Sequence, residues 1–473
     1  MSETPSRAGA VARAAAHYSS GRFLADMRRR VAMKTESQSG ARDAELRAYL
    51  TEEMVPTLDK LGFTSRIFDN AVAGKGPFLV AERIEDATLP TVLVYGHGDV
   101  VLGHEGRWRD GLDPWSITVD GDRWYGRGTA DNKGQHSVNI AALEEVMAER
   151  GGTLGFNAKI LIEMGEEAGS PGLRKLAETH GDVLAADVLI ASDGPRLRAE
   201  RPTVFLGSRG ALNIDLVLNL REGAHHSGNW GGLLANPGTI LANAIASLVD
   251  ARGKILLPAL RPPAIPDAVR QAIADLTVGG GPNDPAIDRD WGEPGLTPEE
   301  RVFGWNTLEV LAYETGTPAA PVNAVPPSAK ATLQLRFVVG TDPMAAIEAI
   351  RAHFDANGFE KIEVKASRME MFAATRLDPA DPWVGFALAS LAETTGKKPA
   401  LLPNLGGSIP NDVFSDVLDL PTIWVPHSYP ACSQHAPNEH LLGSVAEEAL
   451  RLMAGLFWDL GEHGRTIREA RRA

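Results

Sequence analysis

The 473-residue sequence contains a single cysteine, Cys432, so no disulfide can form within the chain. A zinc finger or an iron–sulfur cluster is excluded as well, because each needs several cysteine ligands. The sequence also lacks any run of about 18 consecutive apolar residues, so no membrane-spanning helix is predicted. Basic residues are fewer than acidic residues: 47 Lys and Arg and 61 Asp and Glu give a formal net charge of −14. This balance disfavours a nucleic-acid-binding role.

The first 20 residues contain no apolar segment of the kind that a secretory signal needs. Residues 4–25 are rich in Ala, Ser and Arg, a composition that suits both a transit peptide and a frayed terminus leading into a helix. We interpret the stretch as a frayed terminus and expect a cytoplasmic location. Hydrophobic residues make up 44% of the chain and charged residues 23%, as in ordinary globular proteins, and the length predicts two or three domains.

Short apolar runs that end in glycine or polar residues predict the strands of a buried sheet. These runs are Thr91–Tyr95, Lys159–Met164, Asp187–Ala191, Thr203–Leu206 and Thr422–Val425. Helical patterns lie before and between them, at Ala44–Val55, Lys133–Glu149 and Leu173–His180. This alternation predicts an α/β fold with a mostly parallel sheet and helices on both faces.

The pattern changes in the middle of the chain, where polar and apolar residues alternate as they do in strands with one solvated face. The predicted elements are strands at Asn213–Leu220, Ala331–Val339 and Lys361–Ala366, and helices at Gly238–Asp250 and Pro343–Asn357. The Pro- and Gly-rich stretch 252–305 is too long for a plain loop, so we expect a helix at Asp267–Leu276 within it. We therefore predict an α+β domain at 208–375, inserted into a main domain formed by 1–207 and 376–473.

Side chains that can bind metals follow the predicted strands. They are His97 and Asp99, Glu166 and Glu167, Asp193 and, further along, His435, together with Asp131 in the loop before the helix at Lys133. Ligands of an open α/β sheet bind outside the carboxyl ends of its strands, so we expect these side chains to meet. Each alone is more often a helix cap or a loop residue. Two adjacent acids directly after a buried strand, however, need nearby cations, and a metal site explains all of these residues together.

The ligand types indicate which metals would bind. Imidazole and carboxylate without thiolate suit Zn²⁺, Mn²⁺ or Co²⁺ and argue against a site for Mg²⁺ alone. The five candidate ligands are His97, Asp131, Glu167, Asp193 and His435. One ion with five protein ligands would leave little room for a substrate. Two ions about 3.5–4 Å apart that share one carboxylate leave room for a bridging water, and their charge balances three carboxylates and a hydroxide.

The motifs HGD, TADNKG, GEE, SDG and HAPNE, in this order, resemble those of the M20 family of di-zinc metallopeptidases. The resemblance covers most of the chain and is strongest to the dipeptidase branch that includes carnosinase. It implies the zinc-exopeptidase type of fold with an inserted lid domain. It also implies that Asp131 bridges two ions, that His97 and Asp193 hold one of them, and that Glu167 and His435 hold the other.

The resemblance implies three further features of the centre. Asp99 would orient the imidazole of His97. Glu166 would be the general base, taking a proton from the bridging water and passing it to the leaving amine. The peptide bond between Asp131 and Asn132 would be cis.

Residues of the inserted domain and of a late loop are implied as well. His226, in AHHSGNWGG, would reach the active site of the other subunit of a homodimer and stabilise the oxyanion. Arg336 would grip the terminal carboxylate of the substrate, which suits its planar guanidinium. Gly407 and Ser408 would donate backbone N–H groups to the same carboxylate, and Asn323 would lie near the substrate. From the residues alone, His226 is also compatible with a surface or interface histidine, and Arg336 with a strand-face salt bridge.

The sequence departs from the family pattern in two motifs. The first is HGD where the carnosinase-like branch has HYD, and the last is HAPNE where relatives often have HSQNE. Neither change removes a ligand, but both changed positions line the pocket, so the motifs do not identify the substrate. Cys432 is a less favoured ligand, because nitrogen and oxygen ligands already fill the site. A register shift of one residue would replace His226 by His225. Structural roles are expected for His104, His136, His427 and His440.

We predict a dinuclear metal-dependent hydrolase that cleaves an amide bond by attack of a metal-bridged hydroxide. The expected substrates are dipeptides or short peptides with a free terminal carboxylate, as for a dipeptidase or metallocarboxypeptidase. Each subunit would hold two divalent ions, zinc first, with manganese or cobalt as alternatives. The alternative function is an N-acyl-amino-acid deacylase resembling acetylornithine deacetylase. No nucleic-acid or membrane partner is expected.

Two functions of other classes are disfavoured. A non-catalytic binding protein on the same scaffold would be expected to lose the base or a ligand, yet Glu166 and the five ligand positions are intact. A two-metal phosphoesterase would need several phosphate-gripping cations, and only Arg336 is well placed for that task.

Overall fold

The computed structural model describes residues 4–40, 42–281, 284–367 and 371–472. Its strands are β1 (Thr64–Phe68), β2 (Phe78–Arg83), β3 (Thr91–His97), β4 (Thr118–Asp120), β5 (Arg123–Tyr125), β6 (Asn157–Glu163), β7 (Val188–Ala191), β8 (Thr203–Phe205), β9 (Gly210–Asn219), β10 (His225–His226), β11 (Thr307–Thr315), β12 (Ala324–Val325), β13 (Ser328–Phe337), β14 (Glu363–Ala366), β15 (Ala400–Leu402), β16 (Thr422–Trp424) and β17 (His440–Leu442). No helix in these four ranges has the length and apolar character needed to cross a bilayer.

The α-helices are α1 (Arg7–Ser19), α2 (Arg22–Ala32), α3 (Asp43–Ala48), α4 (Val55–Lys60), α5 (Lys133–Glu149), α6 (Leu173–Thr179), α7 (Gly181–Leu184), α8 (Ser227–Trp230), α9 (Pro237–Leu248), α10 (Asp267–Ile273), α11 (Pro298–Phe303), α12 (Pro343–Ala356), α13 (Pro382–Thr395) and α14 (Gly443–Arg472). A π-helical turn at Tyr49–Met54 joins α3 to α4, so the helix predicted over Ala44–Val55 is longer than expected. A single 3₁₀ turn, Glu166–Ala168, follows β6.

The central sheet has eight strands in the order β1-β2-β6-β3-β7-β16-β8-β15. Strands β6, β3, β7 and β16 pair in parallel, as do β8 and β15, while β1 and β2 form an antiparallel edge. Along β3, Val92 and Val94 join a hydrophobic cluster with α5 and α14, whereas Leu93 and Tyr95 join a second cluster with α6. The predicted α/β fold, with a mostly parallel sheet between two helical layers, is therefore confirmed.

A second sheet is antiparallel, with four strands in the order β11-β13-β9-β14. Helices α9 and α12 cover one of its faces, where Leu241 and Ile347 pack with Leu216 and Leu333. Burial alternates along β9, as the sequence pattern predicted for a strand with one solvated face. This two-layer unit lies inside the stretch predicted as an insertion, and the bounds 208–375 remain a prediction.

One part of the inserted stretch packs on the main sheet instead. We call residues 267–281 and 284–303 the strap, because they carry α10 and α11 back to the central sheet. Ile273 and Phe303 belong to the same hydrophobic cluster as Leu402 of β15. The helix predicted at Asp267–Leu276 is found as α10, which ends at Ile273.

The N-terminal stretch predicted to fray is ordered and packed, so that expectation was wrong. It forms α1, whose Ala10 and Ala14 are fully buried. Small side chains on one face let α1 approach α14 closely, and Arg7 fixes the contact by donating to Asp459 of α14 at 2.9 Å. Alanine-rich composition alone does not distinguish such a packed helix from a frayed end.

A buried histidine links α1 to its neighbours. Nδ1 of His17 lies 2.8 Å from Glu145 of α5, and Nε2 lies 3.8 Å from Asp26 of α2. Burial alone would lower the pKa of His17, but the interactions with Asp26 and Glu145 outweigh it and raise the pKa above 6.5. The folded state therefore binds this proton more tightly than the unfolded state does.

This raised pKa predicts that the protein loses stability on the alkaline side of neutrality. The contribution of His17 is fully present below about pH 6.5 and is lost as the pH rises through the pKa of the folded state. Unfolding by urea at pH 6 and pH 9 should show a smaller fall in stability for His17→Gln than for the wild type. His463→Gln, at an exposed position of α14, is the control. An equal fall in the wild type and His17→Gln would contradict the prediction.

Candidate metal centre

The parallel strand order places several chemically active loops side by side. His97 is the last residue of β3, Glu167 lies in the turn after β6, and Asp193 follows β7. The loop before α5 adds Asp131, and the loop after β16 adds His435. All five predicted ligands therefore meet at the carboxyl ends of neighbouring strands.

The five side chains form two groups that share Asp131. In the first, Nε2 of His97 lies 3.0 Å from Oδ1 of Asp131 and 3.6 Å from Oδ2 of Asp193. In the second, Nε2 of His435 lies 2.9 Å from Oδ2 of Asp131 and 3.1 Å from Oε2 of Glu167. Within each group, one nitrogen or oxygen from every residue lies within 4.8 Å of the others. The two oxygens of Asp131 thus face different groups, which is the arrangement a bridging ligand needs.

The electrostatics of the groups fit two divalent cations. Burial, followed by the charge of Asp131, raises the pKa of Glu167 to about 7 and that of Asp193 to about 6. Hydrogen bonds with Asp131 and then Glu167 raise the pKa of His435 to about 11. Among the described residues, the ion pairs of these carboxylates are with His97 and His435 and none is with Lys or Arg. Oε1 of Glu167 is buried without a hydrogen-bond partner in the described residues, and such uncompensated oxygens suit metal ligation.

Asp99 connects the neighbouring loops by hydrogen bonds. Its carboxylate accepts hydrogen bonds from the hydroxyl of Ser37 at 2.6 Å and from the backbone N–H groups of Glu166 and Glu167, each at 3.1 Å. Its backbone carbonyl lies 3.1 Å from Nδ1 of His97, and its carboxylate lies 3.4 Å from the same atom. Asp99 therefore lies where it can orient both the imidazole and the Glu166–Glu167 turn.

Glu439 is a positioning residue that the sequence reasoning missed. This buried carboxylate accepts hydrogen bonds from the backbone N–H groups of Gly128, Ala130 and Asp131 at 3.0–3.1 Å, and from Arg127 at 2.7 Å. It fixes the backbone that carries Asp131. The available signal was the final acid of the HAPNE motif.

Amide side chains tie the Asp131 loop to two strands of the sheet. The Asp131–Asn132 peptide is cis, as the resemblance implied. The side chain of Asn132 donates to the carbonyl of Ser192 at the end of β7, at 2.8 Å. Gln135, in the first turn of α5, donates to the carbonyl of Ala130 in this loop at 2.9 Å and accepts the N–H of His427, beyond β16, at 2.8 Å. These contacts join the loop to the strands that precede Asp193 and His435.

Glu166 lies beside the first group. Its Oε2 is 3.9 Å from Nε2 of His97, and its side chain is 13% exposed. Burial raises the pKa of Glu166 well above its ordinary range; the positive charge of His97 opposes this, while Asp193 and other acids add to it. The carboxylate can therefore reach a substrate while bulk water is largely excluded from it.

Two cavities of about 500 and 680 Å³ open beside the centre. They share Glu166, His435, Arg336 and Ser408, so they are two halves of one cleft. The smaller cavity also reaches Gly407. Three predicted substrate-binding residues, Arg336, Gly407 and Ser408, thus lie in the same cleft as the candidate metal centre.

Two arginines that form no ion pair in the described residues flank residues 406–408, which we call the glycine loop. Arg336 donates to the hydroxyl of Ser408 at 2.8 Å and to Gln334 at 2.9 Å, and burial lowers its pKa. The second, Arg209, was missed because nothing in its local sequence marks it. It donates to the carbonyl of Gly406 at 2.9 Å, and burial, then the charge of Arg336, lowers its pKa to about 10. Two such guanidinium groups favour binding of a carboxylate.

His226 and Asn323 do not reach this cleft within the chain. His226 is exposed on β10, where its Nδ1 accepts the N–H of Gly228 at 3.1 Å. Asn323 is also exposed, and its carbonyl accepts the N–H of Ser227 at 2.9 Å. Neither residue lines either half of the cleft.

The remaining candidates lie outside both groups of ligands. Cys432 is buried, and burial raises the pKa of its thiol to about 12, which keeps it protonated. His136 lies 2.7 Å from the hydroxyl of Tyr49, and His440 lies 2.6 Å from that of Tyr429. These contacts fit the structural roles expected for the two histidines.

Comparison with curated proteins finds peptidases. A family model described as peptidase family M20/M25/M40 matches residues 93–459. A cysteinylglycine-S-conjugate dipeptidase from Corynebacterium striatum is 28% identical over 345 residues, which cover 70% of this chain and 71% of the relative. The Beta-Ala-His dipeptidase of Homo sapiens is 26% identical over 409 residues, 82% of this chain and 78% of the relative.

Comparison with solved structures also finds peptidases of this fold. An M20 family metallo-carboxypeptidase from Sulfolobus solfataricus superposes with a TM-score of 0.78 at 25% identity, covering 93% of this chain and 99% of that one. Human carnosine dipeptidase 1 has the same fold, with a TM-score of 0.76 at 22% identity over 96% of this chain and 99% of that one. Because the family model spans well over half of the sequence, the resemblance seen in the motifs is confirmed: the chain belongs to peptidase family M20/M25/M40 and is a metallopeptidase of the M20 type.

Proposed function

We propose that the protein hydrolyses the amide bond of dipeptides or short peptides with a free terminal carboxylate, with the help of two divalent metal ions. One observation carries the proposal: two ligand groups that share Asp131 border the same cavity as Glu166 and Arg336. A site for metal ions, a base and a cation for a carboxylate are thus available to one small molecule. The curated relatives, named as dipeptidases, support this substrate class.

Each ligand has a distinct role in this proposal. His97 and Asp193 would hold one ion, Glu167 and His435 the other, and Asp131 both. The ions, when bound, act as Lewis acids that polarise the scissile carbonyl and activate water. Zinc is the expected metal, with manganese or cobalt as alternatives, because imidazole and carboxylate ligands suit all three.

Glu166 would act as the general base. Its place in the lining of both cavities lets it take a proton from the attacking water and deliver it to the leaving amine on the other side of the broken bond. Asp99 supports this role, because it holds the backbone N–H of Glu166 at 3.1 Å. The base is therefore fixed relative to His97 by a residue that contacts both.

Arg336 would bind the terminal carboxylate together with the backbone N–H groups of Gly407 and Ser408. Its guanidinium has only neutral hydrogen-bond partners among the described residues, Gln334 and Ser408, so its charge is free for a ligand. The second cation, Arg209, adds to the positive potential at the same loop.

An N-acyl-amino-acid deacylase is the second candidate, and one observation favours it. Among the described residues, the carboxylates that line the two cavities are Asp131, Glu166, Glu167 and Asp193, all of which already have a role at the proposed metal centre. No further acid in the part of the lining that the structure describes is placed to receive the free amino group of a dipeptide. An N-acyl substrate has no such group.

We also propose a homodimer formed through the inserted sheet. Its edge strand β11 exposes Val310, Leu311 and Tyr313 by 46, 53 and 40%, and an apolar unpaired edge favours association with another chain. His226 is exposed and outside the cleft of its own chain. It would enter the cleft of the partner subunit and stabilise the oxyanion, with Asn323 of the same lid segment near the substrate.

Metal binding should follow the ligand assignment. Metal-stripped protein is expected to take up about two zinc ions per chain, and His435→Ala about one, because its group keeps only two ligands. Elemental analysis after dialysis measures the content. His104→Asn is the control: His104 has a φ of 53°, which asparagine tolerates, and it lies outside both groups. Two tightly held ions in His435→Ala would show that the assignment is wrong.

Hydrolysis assays test the reaction itself. The enzyme loaded with zinc, manganese or cobalt is expected to cleave Ala-Leu in preference to N-acetyl-leucine, and to leave Ala-leucinamide intact because it lacks the carboxylate for Arg336. Glu166→Gln should lower kcat by about 10²–10⁴-fold while both ions remain bound. Glu178→Gln, at an exposed position of α6, should keep full activity. Full activity of Glu166→Gln would remove the base from the mechanism, and preferential cleavage of N-acetyl-leucine would favour the deacylase.

Complementation tests the contribution of His226 across the dimer. Glu166→Gln and His226→Ala should each be nearly inactive alone, but mixed dimers contain one cleft with both residues intact. An equal mixture allowed to exchange subunits should recover about a quarter of the wild-type activity, because half of the dimers are mixed and each has one complete cleft. If the subunits are shown to exchange but the activity does not recover, His226 does not act in the cleft of the neighbouring subunit.

A further inference from the structure

The smaller cavity has a wall that the proposed reaction does not use. The large aliphatic and aromatic side chains of this wall are Leu197, Val302, Phe303, Leu402, Leu405 and Ile409. Three separate parts of the chain contribute: the loop after β7, the strap, and β15 with the segment that follows it. These apolar side chains line one side of a cavity of about 500 Å³, whose other side carries candidate metal ligands and Arg336. A cavity of this size has room for a bulky side chain.

Leu405 places this wall between the proposed metal centre and the glycine loop. A Cβ atom built on Gly194, the neighbour of Asp193, would lie 3.1 Å from Cδ2 of Leu405. A Cβ atom built on Gly407 would lie 3.7 Å from the same Cδ2. Leu405 therefore lies beside both Gly194 and Gly407, where a substrate residue that reached from one to the other would contact it.

Val302 brings the strap to the same loop. A Cβ atom built on Gly406 would lie 3.3 Å from Cγ1 of Val302, so the two residues are within van der Waals range. Val302 is only partly buried, whereas the adjacent Phe303 is 3% exposed and belongs to the core. A substrate residue whose carboxylate bound at this loop would thus have the apolar side chain of Val302 close by.

The lining offers little to a charged side chain. Arg196 also borders the cavity, but its charge is already paired with Glu448, and Ala199 accepts a further hydrogen bond from it at 3.0 Å. Its Nη2 has no partner in the described residues, which leaves a single donor rather than a free cation. Arg336 is reserved for the terminal carboxylate, and the acids of the lining serve the metal centre.

We infer that this wall is the subsite for the side chain of the residue that carries the free carboxylate, and that it selects a bulky apolar side chain. The inference rests on the proposed function, because it takes Arg336 and the glycine loop as the carboxylate site. It narrows the substrates to dipeptides ending in residues such as leucine or phenylalanine. The strap, through Val302, is then a determinant of specificity.

Steady-state kinetics with four dipeptides test the inference. The values of kcat/KM for Ala-Leu and Ala-Phe are expected to exceed that for Ala-Gly by about tenfold or more, as for an apolar group that fills an apolar pocket. Ala-Glu should be cleaved no better than Ala-Gly, because Arg196 is already paired. A preference for Ala-Gly or Ala-Glu would overturn the inference while leaving the dipeptidase proposal intact.

Two substitutions of Val302 locate the effect. Val302→Asp introduces a charge into the wall and Val302→Trp fills the cavity, so each should lower the ratio of Ala-Leu to Ala-Gly cleavage by about tenfold. The ratio is measured on one preparation, so it does not depend on the folded fraction. Ile287→Asp, at a strap position that is 43% exposed and outside the lining, is the matched control and should keep the wild-type ratio. An unchanged ratio in both Val302 variants would also overturn the inference.

The assay separates failure of the subsite from failure of the proposed function. If N-acetyl amino acids are the only substrates, the dipeptidase proposal fails, but the ratio of N-acetyl-leucine to N-acetylglycine tests the same subsite, since the carboxylate-bearing residue is unchanged. An enzyme with bound metal that cleaves neither series would overturn the proposed function and, with it, the subsite.

Discussion

The concentration of buried negative charge around one aspartate is the constraint on which this structure depends. Asp131 shares its site with Glu166, Glu167 and Asp193, and the ion pairs that these acids form within the described residues are with histidines alone. The surrounding loops are held instead by the carboxylates of Asp99 and Glu439, which accept hydrogen bonds from backbone N–H groups of these loops. The protein therefore fixes its acids in place and leaves their charge for a ligand to balance.

Much of this arrangement could be predicted because it is encoded locally. Each candidate ligand follows a predicted strand or, for Asp131, precedes the start of a predicted helix, and the parallel sheet brings such positions together without further information. The helix at Lys133–Glu149 begins and ends at the predicted residues. His97, Asp193 and their partners therefore meet as the sequence indicated.

Features that depend on distant contacts could not be predicted in the same way. Glu439 and the Asp131 loop are about three hundred residues apart in sequence, and no local periodicity records their hydrogen bonds. Strand β11 was missed because a bulge between Val310 and Ala312 interrupts its alternation. Arg209 acquires its significance only from Arg336, which another strand brings beside it. Such residues become recognisable once the fold is known.

The return of the strap to the central sheet has a consequence for movement between the two units. The chain passes between them four times, after β8, before α10, after α11 and after β14, instead of the two times that a simple insertion requires. Two chain connections close together would let the inserted unit rotate about them as about one hinge. Four connections restrict the rotation to axes that distort none of the four. Exchanging 208–375 as one block between related enzymes would also strip the central sheet of α10 and α11, so recombination within this architecture must keep the strap with its parent core.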